Sequence, residues 1–223
     1  MFDQPQDLAR LIDHTFLKPE ATQADITRLC NEAMEYSFAA VCLAPCYVEF
    51  AAGLLKETAI KVCTVVGFPL GNSSISVKIV EAMEALKHGA KELDMVINLG
   101  ALKSGDDEYV KSEVLNVVNV CQEALLKVIL ETGALTPDEM IRGARLVLEA
   151  GGKWIKTSTG FIYRGATVED VRLLKKTLGH RGFVKASGGI KDLATVMAMI
   201  QAGASRIGTS HGVAIMQEYL AGH

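Results

Sequence analysis

The sequence lacks most of the features that would place it in a membrane, outside the cell or on nucleic acid. Its 223 residues contain no apolar run of about 18 residues, the length that a membrane-spanning helix requires. The first residues are acidic and include no apolar segment, so we expect no secretory leader. The net charge is only −3, which gives no reason to expect nucleic acid or an anionic membrane as a partner. We therefore expect a soluble cytoplasmic protein.

Metal-binding patterns are also scarce. The five cysteines are odd in number and lie mostly in apolar runs, which is typical of buried free thiols in a reducing compartment. Cys42 and Cys46 have three residues between them, a spacing found in zinc sites, but no second Cys/His pair lies nearby. The histidines are scattered and form no HxH or HExxH pattern. We therefore expect no metal and no cofactor.

The chain is rich in apolar residues, at 49%, and short β-branched runs alternate with stretches of helical periodicity. The β-branched runs predict strands at 11–15, 39–43, 61–66, 92–97, 127–132, 153–158, 183–187 and 205–209. Residues 22–25, 136–139 and 167–170 resemble capping boxes at the starts of helices. Repeated strand–helix units without a long linker predict one (β/α)8 TIM barrel, a single catalytic domain over residues 1–223. An open doubly wound sheet is the alternative, but "CLAPCYV" after the first strong strand is not its glycine-rich fingerprint.

Three ionisable residues late in predicted strands are candidates for chemistry: Asp94, Lys156 and Lys185. In such barrels the active site lies at the carboxyl ends of the strands. If the three side chains point inward, the second ammonium and partial burial lower the pKa of a lysine and leave a neutral amine. A neutral amine adds to a carbonyl carbon and forms a Schiff base, while Asp94 can shuttle protons.

A structural interpretation of the same residues remains open. Strand lysines often reach solvent with their ends or form structural ion pairs. Lys127 with Glu131, and Glu92 below Asp94, can form such a polar layer. Three ionisable groups at one depth of three nearby strands favour the catalytic interpretation.

Two glycine-containing loops follow the last two predicted strands, "ASGGIKD" at 186–192 and "GTSHGVAIM" at 208–216. Each offers backbone N–H groups at the start of a helix, an arrangement that suits a phosphate. Gly160 can complete the pocket. The residues alone thus predict a barrel enzyme that handles a small phosphorylated carbonyl compound through a lysine imine.

The sequence resembles the deoxyribose-phosphate aldolases nearly from end to end. The resemblance rests on "LIDHTFLKPEAT" at 11–22, "CTVVGFPLG" at 63–71, "ELDMVINLGALKSGD" at 92–106, "KTSTGF" at 156–161 and "VKASGGI" at 184–190. It implies a metal-independent class I aldolase that reversibly cleaves 2-deoxy-D-ribose 5-phosphate to D-glyceraldehyde 3-phosphate and acetaldehyde, in deoxyribonucleotide catabolism.

The resemblance also implies roles for individual residues. Lys156 corresponds to the Schiff-base lysine, Lys185 to the second lysine, and Asp94 to the proton donor and acceptor. Asp13 corresponds to a carboxylate at the edge of the site. The remaining substrate-binding positions are Thr159, Gly160, Gly188, Gly189, Gly208 and Ser210.

Two residues and the function allow more than one interpretation. His211 stands where a small residue is expected and can contact or crowd the phosphate, and Cys42 corresponds to a cysteine that reactive aldehydes attack in some members of the family. The oligomeric state is undetermined, with a homo-oligomer as one option. The alternative functions are a transaldolase-like or keto-acid aldolase and a non-catalytic phosphate-binding barrel.

Overall fold

Eight parallel strands pair in chain order, and β1 pairs with β8 to close a barrel. The computed structural model describes residue 2 and residues 4–222. The strands are β1 (Ile12–Phe16), β2 (Ala40–Leu43), β3 (Lys61–Val66), β4 (Glu92–Val96), β5 (Leu125–Ile129), β6 (Trp154–Lys156), β7 (Phe183–Ser187) and β8 (Arg206–Thr209). The predicted (β/α)8 TIM barrel is confirmed.

Helices connect successive strands around the outside of the barrel. They are α1 (Pro5–Ala9), α2 (Gln23–Tyr36), α3 (Val48–Leu54), α4 (Ile75–Lys87), α5 (Leu99–Lys103), α6 (Asp107–Cys121), α7 (Pro137–Glu149), α8 (Val168–Leu178), α9 (Leu193–Gln201) and α10 (Gly212–Ala221). Short 3₁₀ helices cover Pro45–Tyr47 and Thr132–Ala134. Among the described residues, no helix combines the length and the apolar character needed to cross a bilayer.

The predicted capping boxes start three of these helices, with one difference. At Thr22 and Thr136 both hydrogen bonds of the box form, which fixes the first turns of α2 and α7. At Thr167 only the bond to the backbone N–H of Asp170 forms, because the Asp170 carboxylate pairs with Arg164 instead. The start of α8 is therefore tied to the loop that precedes it.

Two strands end two or three residues before their predicted ends. β5 ends at Ile129, not at residue 132, because Glu131 adopts a left-handed conformation with φ of 55° that a strand cannot contain. β6 covers only Trp154–Lys156, and the residues after Lys156 form a loop. Both differences lie at the carboxyl end of the barrel.

Strand residues alternate between the barrel interior and the helices. Leu93, Val128, Ile155 and Val184 have no exposed surface and belong to the core between strands and helices. Burying each such side chain stabilises the fold by about 1.5–3 kcal/mol. Their neighbours point into the barrel, where the ionisable side chains meet.

Candidate active site

Lys156 is the last residue of β6, and its side chain extends inside the barrel with only 3% of its surface exposed. Its neighbour Ile155 is fully buried on the opposite face of the strand. The Lys156 Nζ atom donates a hydrogen bond to Asp94 Oδ2 over 2.9 Å. A lysine at a strand end is thus held inside the barrel by a carboxylate two strands away.

Asp94 is the centre of the cluster. Its Oδ2 atom accepts hydrogen bonds from Lys156 and from Lys185 Nζ at 2.7 Å, and its Oδ1 atom accepts one from Lys127 Nζ at 3.0 Å. Burial alone would raise the pKa of Asp94, but the three ammonium groups outweigh it and hold the pKa well below its ordinary value. Asp94 is therefore an anion in the resting site.

Lys185 lies between two carboxylates. Besides Asp94, its Nζ atom forms a close ion pair with Asp13 Oδ2. Burial alone would lower the pKa of Lys185, but Asp13 and Asp94 together raise it above its ordinary value. Burial likewise opposes ionisation of Asp13, yet Lys185, Lys127 and Arg206 lower its pKa to about 2. Lys185 is therefore the positively charged second lysine of the site.

Lys127, Glu92 and Arg206 form the layer beneath this cluster, and the sequence did not predict their arrangement. Lys127 does not reach Glu131; its Nζ atom lies 2.6 Å from Glu92 and 3.0 Å from Asp94. Arg206 Nη1 lies 2.6 Å from Asp13 Oδ1 and 3.5 Å from Glu92. The alternation that placed Asp94 inside the barrel was the signal for Lys127, since the two residues are partners in the β4–β5 register.

A cavity of about 530 Å³ opens above Lys156 at the carboxyl ends of the strands. Its wall brings together Lys156 and the substrate-binding residues implied by the resemblance, except Asp13: Thr159, Gly160, Gly188, Gly189, Gly208 and Ser210. Thr15, Phe16, Lys18, Lys191 and His211 also line it. Asp13, Asp94 and Lys185 are not part of the wall, and Lys185 contacts both carboxylates.

Glycine is required in and around this wall for two different reasons, backbone conformation and close packing. Gly160, Gly188 and Gly189 have φ values of 79°, 87° and 75°, which favour glycine. A side chain on Gly165 would meet the backbone of Gly188, so the loop after β6 packs directly on the loop after β7. At Gly208 a Cβ atom would lie 2.9 Å from Cε of Lys185, so this glycine makes room for the second lysine.

His211 lies at the start of α10 beside Ser210, with Nδ1 3.1 Å from Ser210 Oγ. Its backbone N–H donates to Thr209 Oγ1, which in turn donates to the carbonyl of Ile190. These bonds tie the loop after β8 to the loop after β7. The imidazole lines the cavity next to Ser210, one of the positions implied to bind substrate.

Cys42, which corresponds to the aldehyde-reactive cysteine of some family members, is fully buried. Cys42 on β2 is the register partner of Cys63 on β3, whose thiol lies 3.3 Å from Asp94 Oδ1. The ligand atoms of Cys42, Cys63 and Asp94 lie within 4.8 Å of one another, as a metal site would require. Lys127, Lys156 and Lys185 already donate to both oxygens of Asp94, so these ammonium groups oppose a divalent cation there.

A model of the DeoC/LacD family of aldolases matches residues 8–218. The deoxyribose-phosphate aldolase of Thermoanaerobacter sp. (strain X514) is 52% identical over 216 residues, covering 96% of this chain and 97% of the relative. The chain belongs to the DeoC/LacD aldolase family. Another relative in this family, the deoxyribose-phosphate aldolase of Mannheimia succiniciproducens, is 52% identical over 213 residues, or 96% of this chain and 95% of the relative.

A solved structure extends the comparison to the fold. The deoxyribose phosphate aldolase of Aeropyrum pernix, described as a tetramer, superposes with a TM-score of 0.93 at 36% identity, covering 100% of this chain and 94% of the other. The DeoC/LacD family therefore accounts for both the sequence and the barrel.

Proposed function

We propose that this chain is a class I aldolase that reversibly cleaves 2-deoxy-D-ribose 5-phosphate to D-glyceraldehyde 3-phosphate and acetaldehyde. The observation that carries the proposal is one carboxylate oxygen, Asp94 Oδ2, that contacts the amines of both Lys156 and Lys185 below a cavity. Relatives that are about half identical to this chain bear the name of this activity.

Lys156 acts as the nucleophile, because among these three residues only Lys156 lies on the cavity wall. Lys156 passes a proton to Asp94 Oδ2, and the neutral amine adds to the aldehyde carbon of the open-chain sugar; return of that proton to the carbinolamine oxygen and loss of water give an iminium ion. The bond between carbons 2 and 3 then breaks: the hydroxyl on carbon 3 loses its proton, carbon 3 becomes the aldehyde of D-glyceraldehyde 3-phosphate, which leaves, and the electron pair of the broken bond converts the iminium to an enamine. Protonation of the enamine and hydrolysis release acetaldehyde and free Lys156.

Asp94 and Lys185 move the protons that these steps require. Lys156 and Lys185 contact the same oxygen of Asp94, at 2.9 and 2.7 Å, so a proton passes between the two amines through one carboxylate. The pKa of Asp94 is held well below its ordinary value, so Asp94 carries a proton only transiently. Lys185, whose pKa is raised, holds the proton between steps.

The substrate phosphate lies against the glycine loops at the far side of the cavity. Gly188 and Gly189 line the cavity shortly before α9 begins, and Ser210 lines it shortly before α10, so we expect backbone N–H groups at these helix starts to bind the phosphate. Lys191 and Lys18 line the same cavity and add positive charge.

A turnover assay tests the proposal. We expect acetaldehyde to form from 2-deoxy-D-ribose 5-phosphate, measured as NADH oxidation by added alcohol dehydrogenase, and activity to persist in excess chelator. Turnover of a ketose phosphate or a keto acid without acetaldehyde release would favour the transaldolase-like or keto-acid alternative. The absence of any turnover would favour a non-catalytic phosphate-binding barrel.

We propose further that the whole chain acts as one catalytic unit in the cytoplasm, in deoxyribonucleotide catabolism. We also propose that it forms a homo-oligomer. All five cysteines are free, which suits a reducing compartment. Val77, Val80 and Met83 form an exposed apolar stripe along α4, with 46%, 58% and 55% of their surfaces accessible. Light scattering of the purified protein gives the mass in solution, and a monomer at all concentrations would contradict the last proposal.

A further inference from the structure

Glu131 is a buried carboxylate that the reaction described above does not use. It follows β5, and its surface is 0% exposed. Within the described residues no lysine, arginine or histidine nitrogen lies within 4.0 Å of its carboxyl group, although a buried polar group is costly unless it is hydrogen-bonded. Its hydrogen bonds go to one residue: the Thr159 hydroxyl donates over 2.5 Å, and the Thr159 N–H donates over 3.2 Å.

The backbone of Glu131 is strained in a way that serves these bonds. Its φ of 55° lies in the left-handed region, which a residue with a long side chain rarely adopts. The N–H groups of Leu130 and Thr132 bond to the carbonyls of Lys156 and Thr157, which are consecutive residues. Glu131 is thus one extra residue in the chain after β5 relative to the chain after β6, a bulge that aims its side chain at Thr159.

Thr159 connects Glu131 to the turn that forms part of the cavity wall. Its hydroxyl oxygen accepts the N–H of Phe161 at 3.2 Å while its proton goes to Glu131. The two bonds fix the turn through Gly160, whose φ is 79° and whose Cα lies against Gly188. Because the Thr159 hydroxyl donates its only proton to Glu131, that hydroxyl is not a donor to a bound substrate.

We propose that Glu131 is a positioning residue that sets the phosphate side of the cavity through the Thr159–Gly160–Phe161 turn, and so determines the preference for phosphorylated over unphosphorylated substrate. The proposal rests on the function proposed above. Glu131 does not line the cavity itself and reaches its wall only through Thr159, so its loss leaves the chemistry at Lys156 in place. The change falls on the KM for the phosphorylated sugar.

Two substitutions separate positioning from folding. Glu131→Gln keeps the shape but replaces one carboxylate oxygen by an NH2 donor, so one of the two positions that face Thr159 no longer accepts a hydrogen bond. Glu131→Asn tolerates the left-handed backbone better than glutamate does, but its side chain is too short to reach Thr159. Glu149→Gln, at an exposed glutamate of α7, is the matched control.

The readout is kinetic discrimination between 2-deoxy-D-ribose 5-phosphate and unphosphorylated 2-deoxy-D-ribose. We expect both Glu131 variants to raise the KM for the phosphorylated sugar about tenfold, or about 1.4 kcal/mol of binding free energy, with kcat within about twofold. The kcat/KM for the unphosphorylated sugar and all constants of Glu149→Gln stay at the wild-type values.

The outcomes distinguish this proposal from the proposed function. An equal loss with both sugars would mean that Glu131 only supports the fold, and unchanged kinetics in both variants would mean that the turn does not depend on it. Either result overturns the positioning role. Failure of the wild-type protein to release acetaldehyde from the phosphorylated sugar would instead overturn the proposed function.

Discussion

Replacing Asp94 by Asn removes the carboxylate that joins three lysines. Asn keeps the size and one acceptor oxygen, but it cannot carry a proton between Lys156 and Lys185 through Oδ2. General acid–base catalysis is worth about 10²–10⁴ in rate, so we expect kcat to fall about a thousandfold. Removing one partner of a buried ion pair costs about 3–5 kcal/mol. Lys127 and Lys185 retain Glu92 and Asp13, so the loss should lie near the lower end of that range.

Steady-state kinetics and urea unfolding of the same preparation measure the two effects, with Asp138→Asn on the exposed surface of α7 as the control. If the Asp94→Asn variant loses the predicted free energy of unfolding but keeps kcat within tenfold of wild type, the proton-transfer role is refuted. A variant with normal stability and lost activity would instead show that Asp94 contributes little to holding the three lysines together.

Three further predictions concern Asp13, His211 and the buried ion pair of Lys78 with Glu113. Asp13 has its pKa lowered to about 2, so its stabilising effect is complete above the ordinary pKa and is lost as the pH falls through about 2. Between pH 4 and 2 the free energy of unfolding should fall less steeply in Asp13→Asn than in wild type; equal slopes would contradict this. Replacing His211 by Ser should change the KM for phosphorylated substrate more than kcat. A change in kcat alone would contradict the placement of the imidazole beside the phosphate. Lys78→Met should lower the free energy of unfolding by about 3–5 kcal/mol, because the buried Glu113 loses its partner at 2.6 Å. The double variant with Glu113→Leu should recover most of that loss, and no recovery would contradict the buried-pair explanation.

The alternation of apolar runs was sufficient to predict the barrel, because strands buried on both faces read as short β-branched segments. The same alternation placed Asp94, Lys156 and Lys185 inside. It did not give the stagger of the strands: Lys156 is in register with Lys185 and Ile129, whereas Asp94 is in register with Lys127. The side chains still meet because long lysines span that offset.

The sequence was not sufficient to predict which charged side chains form ion pairs inside the barrel. Lys127 and Glu131 are four residues apart, which suggested a pair, but the left-handed backbone at Glu131 turns its carboxylate towards Thr159. Arg206 gave no signal, since its contact with Asp13 joins residues at opposite ends of the chain. Gly208 fitted the pattern of a phosphate loop, yet the structure also shows that it makes room for Lys185.

The central claim is that Lys156 forms the covalent bond to substrate. Borohydride reduction in the presence of 2-deoxy-D-ribose 5-phosphate, followed by peptide mass mapping, tests it directly. The account predicts an irreversible adduct on Lys156 that disappears in Lys156→Ala. An adduct on Lys185, or reduction that leaves every lysine unmodified in an enzyme that turns over, would contradict it.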